Sequence, residues 1–279
     1  MGCRVAKNAP RKGDLPLVFS NISHVLLGGW CTRNDMIYMH HTLFISDLHL
    51  EAERPDITAC FLKFLRQRAP HADALYILGD FFEVWVGDDE NTPFQRSIIA
   101  ALKQLTDTGL PIYFMRGNRD FLIGETFMHA TGCHYLPDPT VIQLYGQQVL
   151  LTHGDALCTE DQAHQRFRKY TQDLRYTRFF LSLPLCIRRC IARWIRKKSQ
   201  KHIAHLDYAI MDVTQAAVAQ QMSTYEVTQL IHGHTHRPAI HHFQLQGQPA
   251  CRVVLGDWHA QGSVLVYDEN AQMALEVFA

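Results

Sequence analysis

A carboxylate and an imidazole two positions apart close the short apolar run Leu43-Phe44-Ile45-Ser46-Asp47-Leu48-His49. If a strand ends near Ser46, Asp47 and His49 can both turn toward one point beyond its carboxyl end, where α/β proteins usually carry their chemistry. Carboxylate oxygen and neutral imidazole suit Mn²⁺, Fe or Zn²⁺. Taken alone, such a pair serves equally as a capped turn.

The pattern recurs. Ala74-Leu75-Tyr76-Ile77-Leu78 runs into Gly79-Asp80, with Glu83 close behind. Pro111-Ile112-Tyr113-Phe114-Met115 runs into Arg116-Gly117-Asn118-Arg119-Asp120. Gln148-Val149-Leu150-Leu151-Thr152 runs into His153-Gly154-Asp155, and Val227-Thr228-Gln229-Leu230-Ile231 into His232-Gly233-His234-Thr235-His236. Each of these runs delivers Asp, Asn or His beside a glycine that lets the chain turn sharply. One such loop is an ordinary polar loop; all of them at strand ends in one chain point to a shared site.

Asp47, His49, Asp80, Asn118, His153, His234 and His236 are the side chains offered. Two divalent ions with positions open for water and substrate need about eight protein contacts. A bridging Asp80 completes that number, joining Asp47, His49 and His236 at one ion and Asn118, His153 and His234 at the other. A hydroxide between the ions would then attack phosphorus while cations neutralise the phosphoryl oxygens. Because the set contains no cysteine, Mn²⁺ is expected rather than structural Zn²⁺.

The elements that must hold these loops follow from periodicity. Asp56 is placed to cap a helix carrying Ile57, Phe61, Leu62 and Leu65, and Thr92-Pro93 opens a second that Gly109 closes. The order strand, helix, strand, helix, strand predicts a right-handed parallel βαβ sheet. Val141 to Leu144 and Gln148 to Leu151 flank a turn, and Ile240 to Phe278 reads as a meander of short strands. The expected architecture is therefore two packed sheets with helices outside.

Gln162 to His202 is different. Twelve Lys and Arg face a single acid, Asp173, and Phe167, Tyr170, Leu174, Phe179, Phe180, Trp194 and other apolar residues are interleaved. This composition fits a surface helix that meets anionic lipid and fits equally a helical hairpin with a solvated basic face. Elsewhere composition mainly sets bounds. The 279 residues are 47% hydrophobic with zero formal net charge, so overall charge points to no partner. Eight cysteines without a CxxC pair fit a reducing compartment. No apolar run approaches the roughly 20 residues of a membrane span. Residues 1–39 lack a sustained period and a convincing signal-peptide cleavage site, and are expected to be a poorly ordered extension.

Asp47-x-His49, Gly79-Asp80-x-x-Glu83, Gly117-Asn118-Arg119-Asp120, His153 and Gly233-His234-x-His236 together resemble the calcineurin-like metallophosphoesterase superfamily. That resemblance implies a four-layered αββα sandwich and the metal assignment above. Phe44 to Leu50, Ala74 to Asp80, Gly117 to Leu122, His153-Gly154-Asp155, Ala209-Ile210-Met211-Asp212-Val213 and His232 to Pro238 further resemble the UDP-2,3-diacylglucosamine diphosphatase family of lipid A biosynthesis. It implies cleavage of the pyrophosphate of UDP-2,3-diacylglucosamine, giving UMP and an acylated sugar 1-phosphate. It implies a helical cap, about residues 156–206 of a domain spanning 40–279, that receives the acyl chains. Catalytic roles would fall to Asn118, Arg119, His153 and His234, with Asn118, Arg119, Asp161, Ser199 and His234 touching substrate. Two Mn²⁺ ions, a peripheral place on the cytoplasmic face of the inner membrane, and no nucleic-acid or obligate protein partner complete the expectation. Another phosphoesterase, such as a nuclease or phosphoprotein phosphatase, is the alternative enzyme. A scaffold that has lost its metals is the non-enzymatic one.

Overall fold

In a computed structural model, residues 40–203 and 212–279 are described, with side chains described as far as Ser199 in the first segment. The expectations for residues 1–39, and for Ala209 to Met211, lie outside the described residues.

Strands β1 (His41–Ile45), β2 (Ala74–Leu78) and β3 (Ile112–Met115) pair in parallel, as the strand–helix alternation predicts. Between them run α1 (Pro55–Gln67) and α2 (Pro93–Thr106). A short helix α3 (Glu125–Thr131) then leads to β4 (His134–Leu136), which extends the parallel sheet. The hairpin β5 (Thr140–Leu144) and β6 (Gln147–Thr152) begins a second sheet. After helices α4 (Gln162–Gln172), α5 (Leu174–Ser182), α6 (Leu185–Ile203) and α7 (Gln215–Thr224) come β7 (Gln229–His232), β8 (Ala239–Leu245), β9 (Gln248–Val254), β10 (Gly262–Asp268) and β11 (Met273–Phe278).

One sheet has the order β11-β10-β1-β2-β3-β4 and the other β5-β6-β7-β9-β8. The expected C-terminal meander is thus two hairpins divided between sheets: β8-β9 joins the second and β10-β11 the first. Alternation within each strand explains the layering. Phe44, Tyr76, Leu78 and Met115 face Val149, Leu151, Ile231 and Val253 in the core between the sheets. Leu43, Ile45, Leu75 and Ile77 point the other way, onto Ile57, Phe61, Ile98 and Leu102 of α1 and α2. Leu150 and Leu230 pack against Val218 and Met222 of α7. The sandwich is αββα.

Local chemistry sets the helix ends. Thr92 caps α2 in a capping box with Gln95, with Pro93 just inside. For α1 the expectation shifts by two residues: Arg54 occupies the cap and Pro55 the first turn, while Asp56 pairs with Arg54 at 2.9 Å.

Helices α4 to α6 form the expected basic segment, and neither α4 nor α5 contains a buried residue. The cations, however, divide into two sets. Arg188 is only 2% exposed; it pairs with Asp89 and donates to the backbone oxygens of Val86 at 2.7 Å and Leu183 at 2.9 Å. Arg168 reaches Asp155 at 3.0 Å, Arg189 reaches Glu90 at 2.7 Å, and Arg196 pairs with Glu83. Phe180 packs onto the core, whereas Phe179 is exposed. These inward residues fasten the segment to the sandwich. Arg166, Lys169, Arg178, Arg193, Lys197 and Lys198 remain outward.

Arg188→Gln should therefore act on the fold before it acts on any lipid. Loss of the charged fork leaves the Val86 carbonyl buried without its donor, costing about 2 kcal/mol, or roughly 5 °C in a chain of this size. A melting curve and limited proteolysis check it, with first cleavage expected within α4 to α6. Parent-like melting and cleavage would mean that the Arg188 contacts do not hold the segment.

Candidate metal centre

All seven candidate ligands stand where sequence placed them, at carboxyl ends of strands. Asp47 and His49 follow β1, Asp80 follows β2, Asn118 follows β3, His153 follows β6, and His234 and His236 follow β7. The two sheets bring these ends together. Gly233 N donates to the His153 oxygen at 2.9 Å, and His234 N donates to Asp47 Oδ2 at 2.9 Å. Asp120, fully buried, accepts from the backbone N–H groups of Gly117 at 2.7 Å and Phe81 at 2.8 Å. It thereby ties the Asn118 loop to the Asp80 loop.

Five of the seven occupy left-handed backbone: Asp47 (φ 55°), His49 (48°), Asp80 (49°), His234 (70°) and His236 (55°). Non-glycine residues rarely adopt this region, and such strain gathers at functional sites. At Gly117 the reason for glycine is room: a Cβ would come within 2.2 Å of Asp80 Oδ1.

The side chains form two groups, Asp47 with His49 and His236, and Asp80 with His153 and His234. Within each group the ligand atoms lie within 4.8 Å of one another. Asp80 faces both: Oδ1 is 3.5 Å from His153 Nε2 and Oδ2 is 3.9 Å from His49 Nε2. Asn118 Oδ1 is 3.0 Å from His153 Nε2.

Asp47 and the imidazoles carry supporting contacts that aim their free atoms inward. Asp47 Oδ2 accepts from Ser46 Oγ at 2.6 Å and from His234 N, while Oδ1 is buried 3.3 Å from His236 Nε2. His49 Nδ1 lies 2.7 Å from Glu83, His236 Nδ1 3.5 Å from Asp257, and His153 Nδ1 2.9 Å from the Leu78 oxygen. The Nε2 atoms of His49 and His236 are then left 3.3 Å apart. Imidazole nitrogens crowded around one buried carboxylate oxygen make an oxygen and imidazole donor set that fits a divalent ion.

The electrostatics agree. Burial pushes the His236 imidazole down, but hydrogen bonds and charge from Asp257 and Asp47 outweigh it and hold the ring at about 10. Burial likewise opposes the charges of Asp80, Asp47 and Asp155 at His153, which still ends near 9. Burial and the Asp80 charge push Asp120 up to about 6. At His234 burial wins and pushes the ring down to about 3, and it lowers His49 as well, so those two imidazoles are neutral. Negative charge strong enough to retain protons on His236 and His153 attracts a divalent ion, which competes with those protons.

A cleft of about 290 Å³ opens beside the first group, lined among others by His49, Glu83, Arg119, Arg196, His236 and Asp257. Arg119 holds the loop through its backbone N–H, which donates to Asp80 Oδ1 at 2.8 Å, and its Nε is buried without a partner. Asp161 and Ser199 do not line this cleft. Asp161 caps α4 by accepting from His164 N at 2.9 Å. Ser199 is half-buried on α6, three residues beyond Arg196 and so on the same helix face.

Sequence reading missed Asp257 as a partner of His236 and Arg196 as a residue of the cleft. The signal for Asp257 was present. Val253-Val254-Leu255 is another apolar run ending in Gly256-Asp257, the same pattern as Gly79-Asp80.

The family described as calcineurin-like phosphoesterase matches residues 40–238, which contain all seven of these side chains. The chain belongs to that family. This phosphoesterase is 55% identical over 240 residues to a curated UDP-2,3-diacylglucosamine hydrolase of Coxiella burnetii, covering 86% of this chain and 98% of the relative. It is 54% identical over 226 residues to the enzyme of that name from Aeromonas hydrophila, covering 81% and 93%. A Pseudomonas aeruginosa enzyme of the same name matches at 54% over 228 residues, covering 82% and 95%.

Proposed function

We propose that this phosphoesterase adds water across the pyrophosphate of UDP-2,3-diacylglucosamine, releasing UMP and 2,3-diacylglucosamine 1-phosphate in lipid A biosynthesis. The observation that carries the substrate class is the juxtaposition of two ligand groups with a cap that is both basic and apolar. A diacylated anionic substrate needs cations and apolar walls together. Leu174, Phe179 and Trp194 are 66%, 67% and 63% exposed on that cap, apolar side chains available to acyl chains. The named relatives support the same reading.

Asp47, His49, Asp80 and His236 would hold one ion, and Asp80, Asn118, His153 and His234 the other; Mn²⁺ fits the donor set. Bound divalent ions supply Lewis acidity and lower the pKa of water at this site. The chain's own groups do the rest. Glu83, Asp257 and the Leu78 carbonyl fix the imidazole orientations. Arg119 brings a guanidinium, with its Nε free of a hydrogen-bond partner, to the cleft, where it would meet phosphate oxygens. Asn118 and His234 would touch substrate beside their ions, and Asp161 and Ser199 would approach the sugar or uridine from the cap.

Residues 40–279 are read as one domain with a lipid-binding insertion at about 156–206. None of the described helices is long and apolar enough to cross a membrane. The outward cations and apolar side chains would hold the protein peripherally on the anionic cytoplasmic face of the inner membrane. Neither a nucleic-acid partner nor an obligate protein partner forms part of this reading.

Purified protein offered UDP-2,3-diacylglucosamine and a generic phosphodiester in parallel tests the proposal. UMP release from the lipid substrate should exceed phosphodiester cleavage by at least about 10²-fold in kcat/KM, the difference being binding energy from the acyl and uridine parts. Equal or reversed rates would replace this substrate with that of a nuclease or another phosphoesterase.

A further inference from the structure

The turn that carries His234 and His236 has a support outside every motif quoted above. Arg252 lies on β9, one residue beyond Cys251, which pairs with Gln229 at the start of β7; Val254 pairs with His232 at its end. Arg252 is 8% exposed, and its Nη1 is 3.1 Å from His232 Nε2. A guanidinium can only donate, so His232 Nε2 must accept and the ring proton must sit on Nδ1. His232 Nδ1 is 2.8 Å from the Gly233 oxygen, to which it therefore donates. The same oxygen accepts from Thr235 N at 2.9 Å.

Those two bonds converge on the Gly233–His234 peptide, and both His234 and His236 sit in left-handed backbone that local sterics alone do not favour. The arrangement leaves little slack. A Cβ on Gly154, the residue after His153, would lie 2.9 Å from His232 Nδ1 and 3.0 Å from the Gly233 oxygen. Leu255 N donates to the His232 oxygen at 2.7 Å from the other side.

We infer that Arg252 is a positioning residue for the metal centre: by fixing the His232 tautomer it locks the Gly233 carbonyl and hence the turn that presents His234 and His236. Arg252 touches neither ligand. Its effect passes through one imidazole and one peptide. The inference rests on the reading of His234 and His236 as metal ligands, and predicts that loss of the Arg252 donor weakens both ions' hold without emptying the cleft of its other groups.

Two measurements test it. Imidazole nitrogen spectra of the isotope-labelled parent, metal-free and Mg²⁺-loaded, should show His232 as the Nδ1–H tautomer in both; an Nε2–H tautomer would overturn the relay whatever any variant does. Mn²⁺ titration calorimetry should then show about 10-fold or greater weakening in Arg252→Met, the size expected when a group behind a metal ligand is lost. Arg252→Lys, which restores a donor, should recover much of it. A purely structural role would lower the melting temperature of Arg252→Met yet leave the folded protein's Mn²⁺ affinity like the parent's, and that result would also overturn the inference. A parent that binds no Mn²⁺ would instead remove the metal-centre reading itself, leaving the tautomer measurement to judge the relay.

Discussion

Asp80→Ala should reduce turnover by about 10³-fold or more, roughly 4 kcal/mol of transition-state stabilisation, and should lower the content of both ions. Asp80 is 2% exposed, and its two carboxylate oxygens face different histidines, His153 on one side and His49 on the other. Its Oδ1 also accepts from Arg119 N, so the substitution loosens the loop that brings Arg119 to the cleft. His49→Ala removes a candidate ligand from one group only and should leave the second ion bound. Metal analysis of the two variants beside the parent makes the comparison. Equal losses of metal and rate in both would contradict a carboxylate shared between ions.

The second large effect belongs to the cap. Replacing Leu174, Phe179 and Trp194 together by Ser should raise KM for the diacylated substrate at least about 30-fold, near 2 kcal/mol, well short of fully burying three large side chains. Turnover of a non-acylated analogue should stay unchanged, because none of the three lines the cleft beside the ligands. The choice of residues matters: Phe180 packs on the core, so its removal would confuse lipid contact with folding. Arg188 and Arg196 are likewise unsuitable probes of lipid attraction, since one anchors the cap and the other reaches Glu83 behind His49. Unchanged KM in the triple variant would reduce the cap to an ordinary helical hairpin.

How much of this was legible in sequence follows from the range of the forces involved. Strand ends were readable because a run such as Ala74 to Leu78 must be buried on both faces, so the first Gly-Asp after it marks where the chain leaves the sheet. The seven candidate ligands came with those ends, and the layered fold followed from the alternation of strands and helices. Helix α7 was not readable: it buries Val218 and Met222 within a stretch rich in Gln and Ala, too little apolar contrast to show a face. Strand β4 has three residues with two exposed, which leaves no alternation to detect.

The direction of the cap's charges was equally hidden. Twelve cations between Gln162 and His202 say that the segment is basic, but only tertiary contact shows Arg168, Arg188, Arg189 and Arg196 turning inward onto Asp155, Asp89, Glu90 and Glu83. Asp89, Glu90 and Glu83 are distant in sequence from their partners, and none of the four pairs has a helical spacing, so the pairing leaves no periodic trace. The left-handed backbone at Asp47, His49 and Asp80 was hidden for a related reason: it is imposed by bonds across the sheet, such as Asp47 N to the Gly79 oxygen at 3.1 Å and His49 N to the Asp80 oxygen at 3.0 Å.

The central claim is that loops from both sheets assemble one divalent-metal centre that hydrolyses UDP-2,3-diacylglucosamine. It is tested most directly by stripping the protein with chelator, confirming metal loss by elemental analysis, and measuring UMP release as Mn²⁺ is returned. The expected result is no detectable turnover in the stripped protein and recovery that follows occupancy of both groups of ligands. Undiminished UMP release from protein shown to be free of metal would contradict it.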